Sequence, residues 1–218
     1  MHRIAGVGLL AGIAFTVGCA TTPYRAKVPS TSDMACVADF TDVVRVPLRP
    51  LDAKTTEKLA YVEFADVAQC YRNADASIPL ALYAIEGVSP PAEIAVSVLL
   101  STGGTFATAV DVLDAEFRSL QRHGFDAFVR RGDEYSMTIF LNPSAPAPAY
   151  LMLTPDAAQV GKQDVAIGSM TSSAVMSAGG GMFVYNTGSE TRAVREFLAG
   201  GRIKVTVKPQ ANAGFGDR

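Results

Sequence analysis

Residues 80–88 (LALYAIEGV), 89–91 (SPP) and 94–100 (IAVSVLL) decide the fold. Two short apolar runs flank a pair of prolines. Neither run is long enough to argue for a helix of its own, and both are rich in residues that favour strands. Proline cannot donate to a sheet ladder, so Pro90-Pro91 cannot lie inside a central strand and marks a turn between two strands. Working toward the C-terminus, residues 101–104 (STGG) mark the next turn, and 106–113 (FATAVDVL) alternate apolar and small or polar residues. Asp114 then supplies a turn into residues 117–120, which reads as a hairpin. Residues 135–141 (YSMTIFL) form another run, closed by Asn142-Pro143; the Pro/Ala segment 144–148 leads into 150–153, and Thr154-Pro155 ends that strand.

Further along the chain the pattern weakens. Residues 155–180 read as a loop: small, polar and glycine-rich, ending in Gly179-Gly180-Gly181, with a short strand expected at 182–185. Residues 187–198 are the best local helix, with Val194, Phe197 and Leu198 on one face and Glu190 three residues after Thr187 as a capping box. Gly200-Gly201 stops it, and 202–208 (RIKVTVK) alternates cleanly as a last strand. Toward the N-terminus, Val43 to Val46 is a short run stopped by Pro47 and Pro50. Residues 55–69 fit neither period, leaving a strand pair or a short helix open. About seven to nine short strands with turn signals between them make the expected class mainly β: an antiparallel β-sandwich, jelly-roll-like, with one short helix near the C-terminus.

Composition agrees with one domain, or two very small ones. The chain has 218 residues, 49% of them hydrophobic, enough for a proper core. Its net charge of −2 and scattered charges give no electrostatic footprint for nucleic acid, which is excluded as a partner. Trp is absent, and His occurs only at His2 and His123, which removes the material for His-based metal clusters.

Residues 1–19 (MHRIAGVGLLAGIAFTVGC) are an address. Arg3 gives a positive start, and Ile4 to Val17 is apolar and uncharged. That stretch falls short of the roughly 20 apolar residues of a membrane span and matches a secretory signal. Thr16-Val17-Gly18-Cys19 resembles the lipobox of bacterial lipoproteins, although the family usually has Leu where Thr16 stands; the alternative is an ordinary signal peptide. Cys19 is the expected lipid-attachment residue and the membrane contact. Ala20 after it resembles outer-membrane sorting, so the expected location is the periplasm, anchored by lipid to the outer membrane. The expected layout is a signal peptide over 1–18, a lipidated terminus and flexible tether over 19–39, a β-sandwich domain over 40–209 and a frayed tail over 210–218. With Cys19 acylated, Cys36 and Cys70 remain as a disulfide pair in an oxidising compartment, the alternative being two unrelated buried thiols.

Candidate chemistry is sparse. His123 lies beside a turn without a Gly-x-Ser-x-Gly elbow to suggest a nucleophile, and reads as a surface histidine. Asp111, Asp114 and Glu116 offer hard oxygens but lack the glycine and spacing of a calcium loop. Arg131-Gly132-Asp133 reads as a β-turn between Val129 and Tyr135 rather than an adhesion motif. Gly179 to Gly181 are not followed by the Lys and Ser/Thr of a phosphate loop. Tyr83, Tyr135, Tyr150 and Tyr185 could supply a sugar platform, though aromatic strand residues usually pack. No catalytic residue, metal site or cofactor is expected, and no ligand-binding residue is assigned.

Four stretches carry a family resemblance: residues 83–87 (YAIEG), 112–120 (VLDAEFRSL), 140–143 (FLNP) and 149–151 (AYL) continuing to Gly161-Lys162. In order and rough spacing, from about Leu80 to Val207, the chain resembles the maltose operon periplasmic protein family, the MalM-like proteins. The resemblance implies an exported β-sandwich protein, associated in some members with maltodextrin uptake and without catalytic residues. The cysteines, the lipobox and residues 162–181 find no place in it. The functional expectation is therefore a non-enzymatic envelope lipoprotein that assists or binds carbohydrate. The alternative is a structural lipoprotein whose sheet face or edge docks an envelope protein; a hydrolase ranks third. An aromatic-lined cleft favours the first reading, a flat apolar face or an unpaired edge strand the second, and a buried His123 bonded to an acid beside a nucleophile the third.

Overall fold

Period-2 sequence becomes two-faced strands. In the computed structural model, which describes residues 24–50, 60–72, 76–143, 146–178 and 181–209, the run after Pro90-Pro91 forms a strand over Ala92–Leu99. Its Ala92, Ile94, Val96 and Val98 are buried while Glu93, Ala95 and Leu99 are not. The turn at the two prolines is where expected, between this strand and one over Ser77–Ile85.

In chain order the strands are β1 (Cys36–Val37), β2 (Arg45–Leu48), β3 (Val62–Glu63), β4 (Gln69–Arg72), β5 (Ser77–Ile85) and β6 (Ala92–Leu99). There follow β7 (Gly104–Phe106), β8 (Thr108–Leu113), β9 (Ser119–His123), β10 (Val129–Arg131), β11 (Glu134–Leu141) and β12 (Tyr150–Pro155). Last come β13 (Gln163–Ala178), β14 (Gly181–Leu198) and β15 (Arg202–Pro209). One helix, α1 (Phe64–Val67), interrupts them. A seven-stranded sheet runs β1-β4-β5-β12-β8-β9, with β2 also paired to β5; a five-stranded sheet runs β10-β11-β6-β15-β3. Most pairs are antiparallel, while β1–β4 and β2–β5 are parallel. The inner faces of the two sheets share one core: Ala81, Tyr83, Val110, Val112, Leu151 and Leu153 from the first meet Ile94, Val96, Val98, Ile139, Ile203 and Val207 from the second. This is the mainly β, sandwich-like packing expected. A smaller cluster of Val43, Leu80, Leu82 and Leu113 covers part of the first sheet's outer face.

Several expectations are corrected. The helix expected over 187–198 is instead part of β14, and the loop expected over 155–180 contains β13. Pairing along all of β13 satisfies the facing backbone groups of both strands over that length, whereas a capping box satisfies only a helix's first turn. The α-helix among the described residues is the single turn α1, in the segment where strand and helix were both open, beside β3. The tether expected over 19–39 is held against the body from Tyr24 on. The Tyr24 hydroxyl donates to Glu63 at 2.9 Å, Arg202 stacks 4.0 Å from its ring, and Lys27 pairs with Asp66. The expected signal peptide 1–18, Cys19 and the tail 210–218 lie outside the described residues.

Candidate functional site

The feature that stands apart from the sandwich is the β13–β14 hairpin. β13 has 16 residues and β14 has 18, and their register runs without a slip from Gln163↔Glu196 to Ala178↔Gly181. At roughly 3.3 Å per residue, 16 residues reach about 50 Å. Only the base touches a third strand: β7 pairs in parallel with Glu196, Phe197 and Leu198. Among the described residues, nothing pairs with the outer edge of β13, or with that of β14 beyond Glu196. Every described residue of 171–176 and 182–194 is exposed, including Val175 (64%), Met182 (78%), Val184 (65%) and Tyr185 (59%). No Asp, Glu, Lys, Arg or His occurs from Val165 to Ser189. The hairpin is an arm whose outer part has no charge and no cover.

Its base is fixed by chemistry that the sequence places locally. The Tyr135 hydroxyl donates to Asp164 Oδ2 at 2.5 Å; burial first, and that carboxylate second, push the phenol up to about 12. Phe197 sets its ring edge-on to Phe125 at 5.0 Å, inside the main core. The Phe197 amide donates to Lys162 O, and its carbonyl accepts from the Gly161 amide, both at 2.8 Å. Gly104 makes the β7 contact possible. A Cβ there would lie 2.3 Å from the Glu196 carbonyl oxygen, so no larger residue fits beside this backbone.

A second candidate is a cleft of about 600 Å³ on the outer face of the seven-stranded sheet, lined by Ile78, Pro79, Asp111, Arg122, Met152 and Pro155 among others. Register places Leu82, Met152, Asp111 and Arg122 in one row across β5, β12, β8 and β9. The Asp111 side chain is 4% exposed, and Arg122 Nη1 lies 3.6 Å from its Oδ2. Ser119 donates to Oδ1 at 3.3 Å, while Oδ2 accepts no hydrogen bond among the described residues. A buried carboxylate retained beside a guanidinium, with one oxygen unsatisfied, is a polar group whose desolvation is only partly offset.

The other candidates fall into place as structure. Cys36 and Cys70 are disulfide-bonded, directly opposite each other on β1 and β4. Asp114 holds the turn between β8 and β9. Its Oδ1 accepts from the amides of Glu116 and Arg118, at 3.0 and 2.8 Å, and its Oδ2 from Arg118 Nε at 2.7 Å. Glu116 meets the same guanidinium. Asp111 faces Ser119 and Arg122 rather than these two acids, and no group of three His, Cys, Asp or Glu able to hold a metal occurs among the described residues. His123 is half-buried at the end of β9, its Nε2 3.5 Å from Gln121 Oε1. Gly132, with φ of 64°, and Asp133 form the expected turn between β10 and β11. Tyr83 is buried in the core, which pushes its hydroxyl up to about 12. Tyr150 stacks on Phe117 at 4.8 Å, Phe117 on Phe40 at 5.7 Å and Phe40 on Tyr71 at 4.3 Å, with Arg45 over Tyr150. These rings cover one another, and Tyr185 on the arm is the exposed member of the expected platform. Among the described residues, the cleft carries no aromatic lining residue.

No protein-family model, curated protein or solved structure matches this chain. No helix among the described residues is long and apolar enough to cross a membrane, a statement that leaves β-strand spans aside.

Proposed function

We propose that this protein is a non-enzymatic, MalM-like lipoprotein of the cell envelope, anchored to the outer membrane through Cys19, that docks to other protein through its hairpin arm. The observation that carries this reading is the arm itself: two unpaired edges and an exposed, uncharged outer part on a hairpin whose base is tied into a sandwich core. Long unprotected edges are strand-addition sites, which folded proteins otherwise blunt with charge, proline or cover.

The test trims the arm in the full-length chain. Residues 166–193 are replaced by Asn-Gly, a two-residue turn that keeps Val165 opposite Val194. Wild-type and trimmed proteins are extracted from membranes in mild detergent and compared on native gels. Docking predicts a high-mass species that the trimmed chain loses; a wild-type chain that forms no such species refutes it. Membrane release of Cys19→Ala is the matching test of the anchor, and retention in the membrane fraction would contradict it.

A second reading, carbohydrate binding, is favoured by the cleft with its buried Asp111 beside the exposed Arg122, since a carboxylate and a guanidinium side by side suit vicinal hydroxyls. Thermal melting scanned against maltose and maltodextrins should then rise with dose, and Arg122→Ala should abolish the rise. A flat melting temperature at millimolar ligand removes this reading.

A further inference from the structure

We infer that the arm's partner is a second copy of this chain: arms of several copies pair edge to edge, β13 of one against β14 of the next, and the ribbon they build closes on itself. The inference rests on the docking reading and names its occupant.

Among the described residues, each arm offers two different unpaired edges at once, the outer side of β13 and, beyond Glu196, the outer side of β14. A single foreign strand satisfies one and leaves the other open. An identical arm satisfies one and brings its own unused edge of the opposite kind, so the same contact repeats. Heterologous repetition ends only in an open fibre or in a closed ring, and closure alone leaves no edge. The direction of the chain agrees. β13 runs away from the sandwich and β14 returns, so arms standing side by side on equally oriented copies present β13 and β14 as antiparallel neighbours, matching the pairing already inside each hairpin.

Composition of the edges points the same way. From Val165 to Ser189 there is neither a charged residue nor a proline, so the devices that keep solitary edges apart are missing along most of both strands. Charge returns only toward the base, at Asp164, Glu190, Arg192, Arg195 and Glu196. The middle of the arm is rich in small hydrogen-bonding side chains (the hydroxyls of Thr171, Ser172, Ser173 and Thr187 and the amide of Asn186), and Ser173 Oγ already donates to Asn186 Oδ1 across the ladder at 2.7 Å. Side chains of that kind repeat well in laterally paired strands. A two-stranded ribbon exposed on both faces is at best marginal in water, so an arm of this length gains its persistence from neighbours. A bilayer is a poorer occupant for a lone arm, because its open edges would bring unsatisfied backbone groups into hydrocarbon.

The experiment uses the purified full-length chain in detergent. Light scattering coupled to size exclusion should give a mass of several subunits. The trimmed chain, and a Val175→Lys/Val184→Lys variant that sets like charges opposite each other on the arm, should give the monomer. No described residue of 166–193 belongs to the main core, so both variants should keep the wild-type melting temperature, which separates lost pairing from lost folding. Geometry is read by disulfide trapping. A chain with Ser172→Cys mixed with a chain carrying Thr187→Cys should give a cross-linked dimer that neither yields alone. A monomeric wild-type chain overturns the inference. If that monomer also shows arm-dependent binding to phosphatidylethanolamine–phosphatidylglycerol vesicles, lipid is the occupant instead. If membrane extracts keep an arm-dependent complex while the pure chain is monomeric, self-pairing fails and the docking reading stands. Trapping by Ser172→Cys alone would show β13 against β13 and overturn the ring.

Discussion

Asp114 shows how much one short side chain can arrange. Desolvation pushes its carboxyl upward, but the amide and guanidinium bonds from Arg118, the Arg118 charge and the Glu116 amide outweigh it and hold the group below its usual 3.8. A carboxyl lowered in the folded state contributes stability above the unfolded value and loses it as pH falls through the folded one. Asp114→Asn should therefore destabilise at neutral pH and flatten the decline in stability below about pH 4, as followed by urea midpoints across an acid series. Phe117, at φ of 60° in the same turn, depends on those bonds for a conformation that non-glycine residues seldom adopt. Asp114 was legible in the sequence because an aspartate turn is closed by neighbours within a few residues. Asp111 was not: its burial comes from β12 and β9 on either side, which no local pattern announces.

At the scale of elements, the sandwich strands were legible and the arm was not. β6, β11 and β15 each bury one face, so alternation is written into 94–100, 135–141 and 202–208. The described residues of β13 and β14 beyond the base are exposed, so no buried face selects an alternating pattern there, and small polar residues read as a loop. Val194, Phe197 and Leu198 resembled a helical face because Phe197 packs against the core and Leu198 is half-buried at the arm's base, while Val194 stays exposed. The signal that was available is negative: an uncharged, proline-free stretch longer than any loop needs. The base itself is testable at Gly104. Gly104→Ala places a methyl 2.3 Å from the Glu196 carbonyl oxygen and 2.8 Å from Leu198 Cγ. The expected cost is roughly 1–3 kcal/mol of overpacking. Hydrogen exchange should quicken at residues 196–198 while the β6–β11 amides stay protected, and uniform exchange across both would contradict this account.

Across the whole molecule, the N-terminal segment is tied in by the Cys36–Cys70 bond, which closes a separation of 34 residues. Chain entropy makes such a closure worth about 4 kcal/mol. Reduction, or Cys36→Ser with Cys70→Ser, should lower the unfolding free energy by about that amount, measured by denaturant titration; an unchanged midpoint would show that the unfolded chain keeps this region together without the bond. The pairing was readable from cysteine count once Cys19 was set aside, whereas the parallel β1–β4 contact that aligns the two sulfurs was not.

The position of β15 has a consequence in time. The last described strand is an interior one, seated between β6 and β3, with Ile203 and Val207 fully buried. β6 and β15 are far apart in the chain, yet each is the other's neighbour, so the five-stranded sheet cannot assemble in order of synthesis. Until residues 202–209 arrive, one edge of β6 and one side of the core stay open. Such distant pairing places refolding in the range of about milliseconds to seconds, and it leaves a long interval in which the nascent chain remains extended and threadable.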